Sequence, residues 1–212
     1  MTKSYNKAKV IIFIILIIIL ALLFNIIMGD SQMENTFNHL KISRNFETVK
    51  QTTSIKASPV SLAGVDSNHI LYCSYVGIYL LELNDNTSVI REVPKPKGID
   101  IWNPTGLYYD QTNKLLYVAN YKGKDILIFN YDMAMNKLVL KHRITNNFML
   151  GPENLTLDKE HNIIVADYDG NAVLKFKPTG QLLWRTKVGQ ANGVTCLNEI
   201  IYATSLTDRN IL

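Results

Sequence analysis

Two stretches of this chain repeat one another. Val118-Ala-Asn-Tyr121 and Val165-Ala-Asp-Tyr168 lie about 47 residues apart, and their surroundings match as well. Pro104-Thr-Gly-Leu107 leads to Asp110, then to the apolar run Leu115–Asn120, a turn over Tyr121–Lys124 and a second run, Ile126–Phe129. Pro152-Glu-Asn-Leu155 leads in the same way to Asp158, to Ile163–Asp167, a turn over Tyr168–Asn171 and Val173–Phe176. Two further copies flank this pair. Pro59-Val-Ser-Leu62, Asp66, Ile70–Ser74 and Ile78–Leu81 precede it, and Gln190–Val194, Ile200–Thr204 and a turn over Thr207–Asn210 follow it.

A period of about 40–48 residues admits either helical repeats or sheets arranged radially. The apolar runs decide between them, because they are short, rich in Ile, Val and Tyr, and broken by Gly, Asp and Asn. Such residues fit a pleated, buried surface, and no stretch of the repeat region sustains a helical period over a dozen residues. The expected fold is all-β: a β-propeller over 59–212 with about four blades, the last incomplete. Lys137–Lys141 is expected as the body of an outer strand reaching back to Tyr131. Pro94-Lys-Pro-Lys-Gly98 and Trp102 form a longer connection between the first two blades, which reads as a surface linker rather than a docking loop. At Asp167-Tyr-Asp-Gly-Asn171, Gly170 and Asn171 are expected to supply the positive φ of a hairpin turn. The pattern has the start of a helix-flanked calcium loop, but the later Glu and both helices of that motif are missing.

Upstream of the repeats the chain changes character. Val10–Met28 is about 19 residues without a charge, about 28 Å long as a helix, which matches a bilayer core. Lys3, Lys7 and Lys9 precede it, and Asp30 follows. That asymmetry places residues 1–9 in the cytoplasm, 10–28 across the membrane as an uncleaved signal-anchor, and the rest outside the cytoplasm. Residues 29–58 are polar and read as a stem.

The 22 Lys and Arg against 18 Asp and Glu give the chain its formal +4, most of it on the anchor flank. The ectodomain is close to neutral, without the clustered basic face of a nucleic-acid binder. The two cysteines, Cys73 and Cys196, are too few for a disulfide framework and read as separate thiols in strands.

Pro152-Glu-Asn-Leu155, Asp158, Asn162-Ile-Ile-Val-Ala-Asp167 and Gly170-Asn-Ala-Val173 together resemble a blade of the NHL-repeat family. The region from about residue 56 onward also resembles the six-bladed, calcium-dependent gluconolactonases, paraoxonases and strictosidine-synthase-like proteins. Gly151-Pro-Glu-Asn-Leu155 is similar to the segment that gives this group an acidic calcium ligand, and Gln190-Ala-Asn-Gly-Val194 to its Asn-Gly segment. The resemblance thus implies Glu153 and Asn192 as calcium ligands, with Asn154 as an accessory. Oxygen donors of this kind suit a hard cation. The corresponding positions elsewhere, Thr105 or Gly106 and Val60 or Ser61, are poor ligands or none. No histidine aligns with the channel mouth as a general base.

Two functions are therefore carried forward. One is a membrane-anchored, extracytoplasmic propeller that binds a protein or a small molecule at its face. The alternative is a calcium-dependent lactonase or esterase of the resembling group. Four blades are fewer than the six with which that group closes, so the chain reads as part of a longer protein. An immunoblot of source membranes is expected to show a product well above 24.1 kDa; a band at that mass would mean that four blades close or assemble alone.

Overall fold

In the computed structural model, residues 58–84, 88–207 and 210–211 are described, and all of them fall in one compact unit, Lys50–Leu212. The expected tail, anchor and nearly all of the stem lie outside the described residues. No described helix is long and apolar enough to cross a membrane.

Four antiparallel sheets follow one another along the chain. The first is β1 (Ser61–Gly64), β2 (His69–Ser74), β3 (Gly77–Leu83) and β4 (Ser88–Val93). The second is β5 (Pro104–Asp110), β6 (Leu115–Asn120), β7 (Asp125–Asp132) and β8 (Lys137–Thr145). The third is β9 (Pro152–Leu157), β10 (Ile163–Asp167), β11 (Ala172–Phe176) and β12 (Leu182–Lys187). The last has three described strands, β13 (Ala191–Leu197), β14 (Ile200–Ser205) and β15 (Asn210–Ile211). In every sheet the strands lie in chain order. Tyr131 and Asp132, expected on the approach to an outer strand, instead complete β7; the turn comes after them, and β8 starts at Lys137.

The apolar runs are continuous because the inner sheets are buried on both faces. In β6, Leu116 and Val118 pack toward the first blade with Leu71, Cys73 and Leu80, whereas Leu115, Tyr117 and Ala119 pack toward the third with Leu155 and Val165. In β10, Ile163 and Val165 face the second blade, while Ile164 and Ala166 meet Val194 and Ala203 of the fourth. Alternate residues therefore enter different cores, and the buried polar residues of these two strands, Asn120 and Asp167, stand at their ends. Each fully buried Leu or Ile contributes about 1.5–3 kcal/mol. The outer strands β8 and β12 are mostly exposed.

Cys73 and Cys196 are free thiols in different blades. Burial pushes the Cys73 thiol up to about 12, so it packs as a small apolar side chain.

The turns carry a correction. Positive φ falls on Asn171 (48°) and, at the matching position of the second blade, on Lys124 (54°), but not on Gly170. Glycine is needed there for space: a Cβ on Gly170 would overlap the Asp167 carboxylate, and one on Gly123 would overlap the Asn120 amide.

Inner strands of neighbouring blades approach closely at Gly106, where an added Cβ would lie 2.7 Å from Asn154 Cα and 2.8 Å from the Glu153 carbonyl oxygen. Backbone cannot yield as a flexible side chain does. Gly106→Ala is expected to destabilise the propeller by about 1–3 kcal/mol in urea unfolding. Gly64→Ala, which meets nothing within 4 Å, should be neutral or stabilising by up to about 1 kcal/mol.

Candidate functional site

In each blade after the first, a polar residue at the end of the second strand captures the chain entering the first strand of the same blade. Asn120, at the end of β6, accepts a hydrogen bond from the Asn103 N–H (2.7 Å) and donates from Nδ2 to the Ile101 carbonyl (2.9 Å) and to Asp125 Oδ1 (2.7 Å). Asp167, at the end of β10, accepts from the N–H groups of Gly151 (2.6 Å) and Leu150 (3.1 Å). Ser205, at the end of β14, donates to the Gly189 carbonyl (2.6 Å). All three are buried. The next residue then donates its N–H back to the incoming chain: Tyr121 to Asn103, Tyr168 to Gly151 and Leu206 to Gln190.

This clamp sets where each inner strand starts, and the strand then bulges. Pro152 pairs with Asp167 and Asn154 with Ala166, leaving Glu153 as the extra residue. Thr105 holds the same place between Pro104 and Gly106, and Asn192 lies in the corresponding irregularity between Ala191 and Val194. A bulge re-aims a side chain that regular pairing would direct into a sheet face. In the first blade, where Ser61 pairs with Cys73 without a bulge, Val60 falls at this position.

The bulges and the residues after the clamps converge on one cavity of about 380 Å³. Its lining includes Glu153 and Asn192, Asn103, and Tyr75, Tyr121 and Tyr168 from equivalent places in three blades, with Lys122 and Leu206 completing it. Two of the three ligands inferred from the sequence thus meet; Asn154 does not line the cavity. Thr105 is engaged elsewhere, its hydroxyl donating to the carbonyls of Pro152 (3.0 Å) and Ala119 (3.3 Å). Asn103 donates from Nδ2 to the Tyr75 carbonyl (2.7 Å), tying the first two blades together at the cavity rim. Tyr121 donates its hydroxyl to Asp169 Oδ2 (2.8 Å) across the next blade boundary. Burial and this bond raise the Tyr121 phenol to about 12, so it remains a donor at neutral pH.

The tyrosines and Asn103 are the residues that motif reading missed. Their signal was present in the repeat itself, where Val-Ala-Asn-Tyr and Val-Ala-Asp-Tyr fixed the register while their last residue pointed to the site. The described histidines lie elsewhere: His161 Nδ1 is 3.3 Å from Asp110 Oδ2 and lines a separate cavity with Leu62, Asp110 and Leu157.

A model of the SMP-30/gluconolactonase/LRE-like region matches residues 77–198, more than half the chain and inclusive of Glu153 and Asn192. The chain belongs to the SMP-30/gluconolactonase/LRE-like family. No curated protein matches it in sequence. Among solved structures, the nidogen/laminin complex is similar with a TM-score of 0.55 and 19% identity over 73% of this chain and 58% of that one. The WD40 β-propeller domain of Doa1 gives 0.56 and 14%, over 75% and 52%. A protein from Lactobacillus plantarum gives 0.53 and 14%, over 69% and 48%. At these identities the likeness shows the fold alone, and this SMP-30/gluconolactonase/LRE-like chain spans about half the length of such structures.

In this family propeller the donors on the cavity are right in kind for calcium and short in number. Glu153 supplies a carboxylate and Asn103 and Asn192 supply amides, against the six to eight oxygens the ion takes. Among the described residues, no group of three His, Cys, Asp or Glu side chains could hold a metal ion. Burial, and then the negative charge of Asp169, hold the Glu153 carboxyl above its usual 4.5. The folded state therefore binds this proton more tightly than the unfolded chain does. The stability involved is fully present below the unfolded value and is lost as pH rises through the folded one. In chelator-treated protein, Glu153→Gln should match the wild type in Tm near about pH 4 and exceed it near about pH 7. An unchanged difference across that range would show that Glu153 is solvated.

Proposed function

We propose that the chain is a ligand-binding propeller that receives a small molecule in the cavity at its channel mouth. The carrying observation is the convergence of all four blades on that one cavity. Its size falls within the range of about 300–1,000 Å³ typical of small-molecule sites. Its lining supports a ring-shaped, hydroxylated ligand: tyrosine rings offer faces for stacking, amides offer paired donors and acceptors, and Glu153 offers a carboxyl. A concave pocket lined by all four blades favours a small molecule over a protein at this face. On the same proposal, residues 10–28 hold the propeller on the extracytoplasmic side of a membrane, supported by their length, apolarity and flanking charges.

A second reading, a calcium-dependent lactonase or esterase, is favoured by the meeting of Glu153 and Asn192 on the cavity. These two residues would hold the ion, water would fill the positions the chain leaves, and the ion would supply polarisation of an ester carbonyl.

Glucono-1,5-lactone, the substrate class in the family's name, is the probe that separates the readings. Calorimetry and pH-stat assays of the full chain would be run with calcium and with chelator. Binding without turnover, weakened about tenfold (~1.4 kcal/mol) by Asn192→Ala, is the expected result. Calcium-dependent ring opening lost in Glu153→Gln would transfer the function to the second reading. Neither binding nor a calcium response would overturn both.

A further inference from the structure

A second groove, at the outer rim between the first two blades, plays no part in either reading. One wall is Pro94-Lys95-Pro96-Lys97, the chain leaving β4; the other is Met135–Leu140, the β7–β8 turn and the start of β8. Together they enclose about 530 Å³. β8 is the outermost strand of its sheet, so one edge of it has no strand alongside. Such an edge presents alternating N–H and C=O groups and is a template for another extended chain.

The walls give that template a chemistry. Met135, in the turn, is 74% exposed, and Val139 (48%) and Leu140 (39%) expose apolar side chains on opposite faces of β8. Lys95, Lys97 and Lys137 are exposed around them, and no acidic side chain lines the groove. Among the described residues, none of these three lysines is in an ion pair. Lysines alone on an edge strand would serve to repel other edges; here they stand beside exposed apolar side chains, and although Lys95 Nζ donates to the Asp100 carbonyl (3.3 Å), no carboxylate of the groove meets them. A bulge at Lys141, between the pairs Leu140–Phe129 and His142–Ile128, limits the regular edge to Lys137–Leu140. The site is therefore short.

We propose that this groove docks an extended acidic segment of a partner protein, which adds to the β8 edge over Lys137–Leu140. Its carboxylates follow the face of Lys137 and reach Lys95 and Lys97, and its intervening apolar side chains lie on the opposite face, beside Leu140. Backbone pairing supplies affinity, and the lysines supply selection for negative charge.

The test is fluorescence anisotropy of the full chain with a labelled, end-capped peptide of alternating glutamate and valine. Its lysine-for-glutamate counterpart and a version N-methylated at alternate residues serve as comparisons. The acidic peptide is expected to bind and to weaken about tenfold in the double variant Lys97→Glu, Lys137→Glu and again at high salt. Amide exchange at Val139 and Leu140 should slow when it binds. The proposal is overturned by absence of binding, by equal binding of the lysine or N-methylated peptide, or by β8 edge amides already protected in the free chain. That last outcome would mean that the chain covers its own groove.

Discussion

The rest of this structure depends on one interaction: in each blade after the first, a polar side chain at the end of the second strand captures the backbone that enters the blade. Asn120, Asp167 and Ser205 make it with an amide, a carboxylate and a hydroxyl, so the bond is preserved while its chemistry varies. All three are buried, where an unpaired polar group would be costly, and each spends its hydrogen-bonding capacity on backbone that has no strand partner. Burial raises the Asp167 carboxyl, and the N–H groups of Gly151, Leu150 and Gly170 pull it back toward the ionised form. The glycine three residues later follows from the same bond, because the captured carboxylate or amide occupies the space a Cβ would need.

From that capture the site follows geometrically. Anchoring the strand entry opposite Asp167 while Asn154 pairs with Ala166 leaves one residue too many between them, and the surplus residue is Glu153. The same surplus yields Thr105 and Asn192. Tyr121, Tyr168 and Leu206 arise from the other side of the clamp, as the residues whose N–H groups answer it. Structure and site therefore share a cause: the bond that positions a blade also decides which side chains its end presents to the channel.

The fold was legible because burial on both faces writes itself into sequence as unbroken apolar runs. Leu115–Asn120 and Ile163–Asp167 have no alternation to read, yet their residues divide alternately between two cores. The period and the strand ends at Asp110, Asn120 and Asp167 were readable for the same reason. The site was legible only in part. Glu153 and Asn192 stood out because their segments are similar to a family pattern, whereas Asn103 and the three tyrosines carry no motif and emerge only when blades are superposed. The reason given for Gly170 was wrong in kind, since sequence shows that a glycine sits in a turn but not which atom fills the place of its missing side chain. The extent of β7 was misjudged because Tyr131 and Asp132 suit a strand end or a turn equally well.

A repeat chain also carries its own internal comparison. Positions that do the same structural work keep their character: the captured backbone in the last three blades, the glycine after the clamp at Gly123 and Gly170, the apolar second strand. Val60, Thr105, Glu153 and Asn192 occupy equivalent places at the channel mouth and share none. A bond explains one of them, since Thr105 donates to the Pro152 carbonyl of the next blade, and Val60 is an exposed apolar side chain with no polar group to offer. Glu153 and Asn192 have no such employment, and Glu153 is a carboxyl held partly buried near another negative charge. A residue that a scaffold must accommodate without using it structurally is a residue retained for what it meets. On the proposed reading, departure from the repeat rather than adherence to it marks the face that meets the ligand.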